Sequence, residues 1–233
     1  MMKTKIGEFE IEIKHSRIRN SMCLTVERDG SISLSQPLEA TEQEVEEFVK
    51  SKSFWLYTKL AEKEELRHKA IPKKQFVNGE GFLYLGRSYR LKIDKNVELP
   101  VQLKQGRFVM SSNNMDDAQT YLIKWYKKKA KKWLEARFED FKNQIIVQPE
   151  NIHIRDLGYR WGSCSRNKDL YFHWKIILLP KSLIDYVLVH ELMHLIEPEH
   201  NEAFWKLVSL ILSDYEERKN KLDKIGVETD YLF

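Results

Sequence analysis

The pentapeptide His190-Glu191-Leu192-Met193-His194 constrains the fold of this chain more than any other segment. Residues four positions apart lie on the same face of an α-helix, so His190 and His194 can reach one metal ion. Glu191 lies beside the first histidine, where it can take a proton from a metal-activated water without being a ligand itself. The spacing matches the H-E-x-x-H pattern of zinc hydrolases. It therefore predicts a helix that carries a Zn²⁺ centre.

The segment around the pentapeptide has the periodicity of a buried helix. Pro180 and Ser182 supply helix-start signals, and Pro198 disrupts helical continuation, so the helix is predicted to end near Glu197. Apolar residues recur between these limits at helical spacing: Leu183, Ile184, Val187, Leu188 and Leu192. The pentapeptide is therefore expected on a helix that is apolar over much of its surface.

A third imidazole follows shortly after this helix. His200 lies six residues after His194, and a turn at Pro198 would bring it back towards the metal. Three protein ligands leave one position open for water, which a catalytic zinc requires. Glu197 and Glu202 are the competing candidates for the third ligand, and His200 is favoured because neutral imidazole suits zinc. The non-metal alternative is a set of histidines that only form hydrogen bonds.

Composition places the chain among ordinary globular proteins. Its 233 residues are 42% hydrophobic and 32% charged, which suits one compound domain or two small ones. No apolar run approaches the ~20 residues that cross a bilayer, and the N-terminus has no signal-peptide core. The expected location is therefore cytoplasmic, without membrane association, and the two cysteines, Cys23 and Cys164, suit a reducing compartment. The net charge of +4 permits an anionic partner without requiring one.

Residues 1–113 are predicted to form a β-rich region with one helix. Asp29-Gly30 predicts a hairpin turn within a small antiparallel sheet. Thr41 and Glu44 form a capping box that opens a helix through about His68. Alternating apolar and polar residues indicate the strands, which are expected at 9–13, 22–26, 32–34, 82–85, 89–93, 101–103 and 108–110.

Residues 114–233 are predicted to form the metal-binding core, so that the whole chain is of the α+β class. A long helix is expected from about Met115 to Asn143, and two short strands bracket a loop at residues 160–167. The H-E-x-x-H helix comes next, followed by a final helix over about residues 202–222. The lysine-rich run at 127–132 lies mostly off the apolar stripe of the long helix. It is interpreted as a solvated face, with nucleic-acid binding as the weaker alternative.

Further motifs are concentrated between residues 151 and 205, with weaker ones at Arg17-Ile-Arg-Asn-Ser-Met22 and Leu85-Gly-Arg87. The main set comprises Arg160-Trp-Gly-Ser-Cys-Ser165, Trp174, Ile177-Leu-Leu-Pro180, Ile184-Asp-Tyr186, Val189-His-Glu-Leu-Met-His-Leu195, His200 and Phe204-Trp205. Together these motifs resemble the YgjP-like metallopeptidase-domain family, which is similar to the SprT-like and other zincin peptidases.

The resemblance implies a zincin core of backing helix, short sheet, H-E-x-x-H helix and further helix. It also implies that Zn²⁺ is held by His190, His194 and His200, with Glu191 as the general base. The chain departs from the family pattern at His173, where Asn is usual. This departure puts in question how the substrate is handled near the metal.

The segment that precedes the second strand of the core offers one more catalytic candidate. Arg160 is that candidate, because a guanidinium near the metal can stabilise an oxyanion or hold a carboxylate or phosphate. Gly162 allows a tight turn under Trp161, so the adjoining motif is interpreted as structural. Cys164 as a nucleophile would need an activating base, which a metal site makes unnecessary. The strand at 171–174 is expected to present its edge to an extended peptide.

The favoured function is a zinc-dependent peptidase, acting on a peptide or another small substrate. One alternative keeps the metal site but hydrolyses nucleotides or other phosphoanhydrides, with Arg160 and Arg166 on the phosphates. The lack of a Gly-rich phosphate loop argues against it. Another alternative is a module that binds nucleic acid or protein around a structural zinc. Structural zinc usually has four protein ligands, and only three are evident. The oligomeric state is not indicated.

Overall fold

The computed structural model describes residues 2–16, 21–26, 30–67, 74–158 and 160–230. The chain divides into two compact units, residues 1–71 and 72–233. The described part contains six α-helices and three β-sheets, which confirms the α+β class. Within it, every helix is too short or too polar to span a bilayer.

The first unit contains one four-stranded sheet and two helices. Its strands are β1 (Met2–Ile6), β2 (Phe9–Ser16), β3 (Cys23–Val26) and β4 (Ile32–Pro37), in the order β1-β2-β4-β3. The sheet is mixed, because β2 and β4 pair in parallel, so the prediction of a wholly antiparallel sheet was wrong. The Asp29 part of the predicted hairpin turn lies outside the described residues.

Two helices of this unit replace the single helix that was predicted there. Helix α1 (Glu42–Ser51) begins at the predicted capping box, in which Thr41 and Glu44 satisfy each other's backbone N–H groups. It ends at Lys52, whose backbone angles (φ −103°, ψ 6°) leave the helical range before α2 (Ser53–Arg67) starts. Val45, Val49 and Leu56 are buried together with the apolar face of the sheet.

The second unit begins with another four-stranded sheet. Its strands are β5 (Gly81–Tyr84), β6 (Arg87–Asp94), β7 (Val101–Lys104) and β8 (Arg107–Ser111), in the order β5-β6-β8-β7. The long helix α3 (Ala118–Phe141) follows and buries one apolar face against this sheet and the rest of the unit. Tyr126 is fully buried there, and its hydroxyl donates a hydrogen bond to the Leu83 carbonyl at 2.7 Å.

This sheet shares its core with the region that was predicted to bind metal, although the sequence assigned the sheet to a separate region ending at residue 113. The β5–β6 turn contacts the segment before the H-E-x-x-H helix, where Leu85 N–H donates to Ile177 O (2.8 Å) and Gly86 N–H to Leu178 O (3.0 Å). A side chain at Gly86 would lie 2.8 Å from Pro180 Cα, so only glycine fits this contact. The boundary between compact units therefore falls near residue 71 rather than residue 113.

A three-stranded sheet and three helices complete the second unit. The strands are β9 (Ile152–Arg155), β10 (Gly162–Cys164) and β11 (Leu170–His173), and the helices are α4 (Lys181–Met193), α5 (Glu202–Ile211) and α6 (Tyr215–Asp230). β11 is central, parallel to β9 and antiparallel to β10. The predicted peptide-binding edge at residues 171–174 was therefore wrong, because both sides of β11 are paired.

The expected order of backing helix, short sheet, H-E-x-x-H helix and C-terminal helix is confirmed, with two differences. The Gly162–Cys164 segment was predicted as loop but forms a strand, because its backbone pairs with residues 170–172 of the distant β11. The predicted final helix is divided at Leu212, which has extended backbone angles (φ −130°, ψ 91°). Arg137 of α3 joins the Asp185 carboxylate of α4 through two hydrogen bonds of 2.7 Å.

Candidate metal centre

Three imidazoles converge at the end of α4. The Nε2 atoms of His190 and His200 are 2.9 Å apart, and those of His194 and His200 are 3.1 Å apart. A tetrahedral zinc with nitrogen ligands at about 2.05 Å would separate those nitrogens by about 3.3 Å. The donor atoms of the three histidines all lie within 4.8 Å of one another. This geometry fits a single divalent ion with three imidazole ligands.

The position of each histidine follows from local backbone structure. His190 lies in the last turn of α4, and His194 is its C-terminal cap. Backbone bonds from Leu195, Ile196 and Glu197 to Leu192 and Met193 close the helix end. The chain then reverses, and the Asn201 side chain caps α5 by accepting a hydrogen bond from Phe204 N–H at 3.0 Å. His200 is held immediately before this cap.

Hydrogen bonding at His194 favours the tautomer that a metal needs. Its Nδ1 lies 3.1 Å from the Glu197 carbonyl oxygen, which can only accept a hydrogen bond. Nδ1 must therefore carry the proton, and a neutral His194 has its lone pair on Nε2, facing the other two histidines. Mutual hydrogen bonds among the three Nε2 atoms would need a proton on one of them, whereas a cation satisfies all three lone pairs.

Aromatic residues of α5 and α6 support the imidazoles from behind. Phe204 is fully buried and stacks on His194, with ring centroids 4.5 Å apart. Trp205 stacks on His200 at 5.7 Å and donates a hydrogen bond from its indole N–H to the His200 carbonyl. On α6, Tyr215 stacks on Trp205, and the Lys219 ammonium lies 4.5 Å from the centre of the Trp205 ring. These contacts restrict the orientation of the histidine rings.

Burial keeps the three histidines uncharged. It lowers the pKa of His190 to about 3, with smaller contributions from the charges of His194, His200 and Lys219. Burial is also the largest cause of the lowered pKa values of His194 and His200. Neutral imidazole is the form that binds a metal, so protons compete poorly for this site.

Glu191 is buried beside the histidines, with only 6% of its surface exposed. Burial raises the pKa of its carboxyl group to about 8, and the positive charge of Arg160 acts in the opposite direction. Its carboxylate packs against Gly162 of β10, where an added Cβ would lie 2.5 Å from Glu191 Cγ and Oε1. A carboxyl group with a pKa near neutrality can both take and return a proton.

The other predicted site residues lie around this centre in different roles. Glu197 and Glu202 do not join the histidine cluster among the described residues, and the Glu197 carboxylate accepts a hydrogen bond from Glu199 N–H. Arg160 is exposed and close enough for its charge to act on Glu191. Burial, then the Glu191 charge, raises the pKa of the Cys164 thiol, which makes it less reactive.

His173, the departure from the family pattern, is committed to local structure through both ring nitrogens. Its Nδ1 accepts a hydrogen bond from Lys175 N–H at 3.0 Å and so caps the 3₁₀ turn Trp174–Leu178. Its Nε2 lies 3.3 Å from Asp156 Oδ1, and its ring packs edge-on to Trp161. It therefore ties the end of β11 to the segment that leads into β10.

An α+β scaffold with an H-E-x-x-H helix, three convergent imidazoles and a buried glutamate defines the class of metal-dependent peptidases. The family model for the YgjP-like metallopeptidase domain matches residues 20–225, and the chain belongs to this family. No curated protein matches it in sequence. Among solved structures, the crystal structure of the metallopeptidase zymogen of Pyrococcus abyssi abylysin is similar, with 23% sequence identity and a TM-score of 0.38. The match covers 43% of this chain and 98% of that chain.

Family membership supports hydrolysis by a metal-dependent peptidase as the general activity. Two features of the site were not evident from the sequence. One is the packing of Gly162 against the Glu191 carboxylate, and the other is the aromatic stack of Trp205 and Tyr215 behind His200. The spacing of Phe204-Trp205 after His200 was the sequence signal for the aromatic stack. No local sequence pattern indicated the packing of Gly162 against Glu191.

Proposed function

We propose that the chain is a zinc-dependent peptidase in which His190, His194 and His200 hold the metal and Glu191 is the general base. The observation that carries this proposal is the convergence of the three Nε2 atoms beside the buried Glu191 carboxylate. When bound, zinc would polarise the scissile carbonyl and acidify the attacking water. The three histidines would leave one position open for water or substrate.

Glu191 moves the proton. Its carboxylate accepts a proton from the attacking water and then delivers it to the nitrogen of the leaving amine, so the carboxylate is regenerated. The raised pKa supports the first step, because a base that binds the proton too weakly would not take it up. The Gly162 backbone fixes the carboxylate from one side, which limits its rotation.

Edge strand β10 is the proposed binding surface for the substrate. It pairs with β11 on one side, and the other side has no partner strand among the described residues. A peptide in extended conformation can add to such an edge through backbone hydrogen bonds. Because Gly162 contacts Glu191, this pairing would deliver a peptide bond close to the general base. Arg160, two residues before this strand, is proposed to stabilise negative charge on the substrate carbonyl.

A pair of isosteric variants tests the proposed base. Glu191→Gln removes the base but no metal ligand, so bound zinc should stay near one equivalent while peptide turnover falls by about 10²–10⁴-fold. Glu202→Gln is the matched control, and both its zinc content and its turnover should equal those of the wild type. Zinc would be measured by mass spectrometry, and turnover with a library of quenched fluorescent peptides.

Three outcomes would contradict this proposal. Retained turnover in Glu191→Gln would remove the assigned role of the carboxylate. Loss of zinc from Glu202→Gln, but not from His200→Ala, would make the glutamate the third ligand. Hydrolysis of nucleoside triphosphates without peptide cleavage would keep the metal site and replace the substrate class.

A further inference from the structure

A second site-like feature lies outside the metal centre, between α3 and β9. It is a groove of about 470 Å³ with predominantly cationic walls. We call it the basic groove, and its charged and imidazole-bearing walls comprise Lys127, Lys128, Lys131, Lys132, His153 and Arg155, with Glu135 as the one acidic residue. The four lysines come from consecutive turns of α3, and the other two basic residues come from the edge strand of the three-stranded sheet.

The basic groove has an excess of positive charge. Five of its side chains are always cationic and one is anionic, a net charge of +4. The whole chain also has a net charge of +4, so all other charged residues together balance. A concentrated field of one sign attracts a polyanion, whereas the same charge spread over the surface would not.

The cations of the groove are poorly neutralised. Lys131 approaches Glu135 only to 3.8 Å, and both side chains are more than half exposed. Within residues 74–158 and 160–230, no carboxylate forms an ion pair with Lys127, Lys128 or Lys132. The Arg155 guanidinium lies 4.7 Å from the centre of the Tyr171 ring, which also stacks with His153. The groove therefore presents free ammonium groups at its surface.

The density of these charges indicates the kind of ligand. Lys127 and Lys132 are separated by about 7.5 Å along the helix axis, at 1.5 Å per residue. A nucleic-acid duplex has one phosphate charge per ~1.7 Å, or about four charges over the same length. An extended peptide covers that distance with about two residues. Four lysines therefore match a duplex better than an acidic peptide.

We propose that the basic groove binds the phosphate backbone of duplex nucleic acid without sequence preference. Lysine ammonium groups act as point charges on phosphates and do not require the fixed geometry of a base contact. Among the described residues, no phenyl, phenol or indole ring lines the groove, and the nearby Tyr171 ring is engaged by Arg155 and His153. Base stacking is therefore not part of this mode, and the affinity is electrostatic.

The test uses the full zinc-loaded chain and a fluorescently labelled DNA duplex, with anisotropy measured between 50 and 200 mM salt. Five phosphate contacts predict a slope of about −4 to −5 for log K against log[salt]. The double variant Lys127→Glu/Lys131→Glu should reduce the slope by about two and weaken binding at least ~10-fold at 100 mM salt. An RNA duplex should bind with a similar slope, because phosphates are the shared target.

A matched control separates the basic groove from net charge. Lys104→Glu/Arg107→Glu changes the charge of the chain by the same amount on strands β7 and β8. This control should keep wild-type duplex affinity. Equal losses in the two double variants would overturn the proposal, as would displacement of the duplex by polyglutamate of equal charge concentration, which would indicate an acidic-peptide site. Unchanged zinc content and circular dichroism would show that the variants are folded.

Discussion

Gly162→Ala tests the placement of Glu191, the proposed general base, with one methyl group. In the structure, the added Cβ would lie 2.5 Å from Glu191 Cγ and Oε1 and 2.7 Å from Cδ, whereas ordinary contacts begin near 3.4 Å. The carboxylate, or strand β10, must therefore shift by about 0.9 Å. Neither the carboxylate nor the strand can move freely. Glu191 is buried on a helix of the core, and β10 is paired with β11.

Gly162→Ala is expected to reduce turnover and to leave metal binding unchanged. A displacement of ~1 Å at a catalytic group reduces the rate by about 10²-fold. This corresponds to about 2.7 kcal/mol in the activation barrier. The three histidines are not in this contact, so Gly162→Ala should keep one equivalent of zinc. The assay is kcat and KM on a quenched fluorescent peptide, with zinc measured on the same samples.

Gly106→Ala provides the comparison for a generic glycine substitution. Gly106 lies in the β7–β8 turn with φ +72° and open space around it, so alanine there strains the backbone and leaves Glu191 in place. It should lower the melting temperature without reducing kcat. A Gly162→Ala enzyme with full zinc and kcat within about three-fold of the wild type would refute the reasoning, because the carboxylate would then tolerate the shift.

Three other predictions address the metal ligands, the helix packing and His173. Because burial lowers the pKa of His190 to about 3, zinc should remain bound as pH falls well below 6.5, measured by dialysis at stepwise pH. Arg137→Met leaves the Asp185 carboxylate unpaired between α3 and α4 and should cost about 2 kcal/mol in chemical unfolding, less than a fully buried pair. His173→Asn should retain a cap for the following turn but lose the contact with Asp156, lowering stability by about 0.5–1 kcal/mol with little change in kcat.

Each of these predictions has a control within the chain. Zinc release with a midpoint near pH 6.5 would contradict the depressed pKa of His190. For Arg137→Met, the comparison is Lys221→Ala, whose exposed pair with Glu217 should contribute at most about 0.5 kcal/mol. Equal losses in these two variants would remove the special role of the pair between α3 and α4. A large fall in kcat for His173→Asn would assign the imidazole to substrate handling instead.

Local patterns predicted the parts of this fold that depend on neighbouring residues. The periodicity of α3 and α4 and the capping box of α1 are encoded within a few residues, and all of these occur. The convergence of His190 and His194 follows from helix geometry alone. The position of His200 was harder to predict, because it depends on a reversal of the chain. The spacing of His200 after Pro198 nevertheless indicated that it lies near the other two histidines. The metal-ligand role of all three histidines stays a prediction.

Contacts between distant residues account for what the sequence did not indicate. The division of the last helix at Leu212 and of the N-terminal helix at Lys52 has no proline or glycine to mark it. Strands β5–β8 belong to the second unit because the turn at Leu85-Gly86 contacts the residues before Pro180. No sequence pattern within either segment predicts this contact, because it is determined by the packing of the whole core.

Gly162 shows why a motif can be specific to a family and still resist interpretation from sequence. Its segment has no alternation of apolar and polar residues, so the strand exists only through pairing with β11. Its functional meaning requires a second long-range contact, because the missing side chain leaves room for Glu191 from a helix nearly 30 residues later. A turn glycine would tolerate alanine wherever its backbone angles allow, whereas a glycine packed against the proposed general base would not. The kcat of Gly162→Ala therefore decides between a structural motif and one that sets the position of the Glu191 carboxylate.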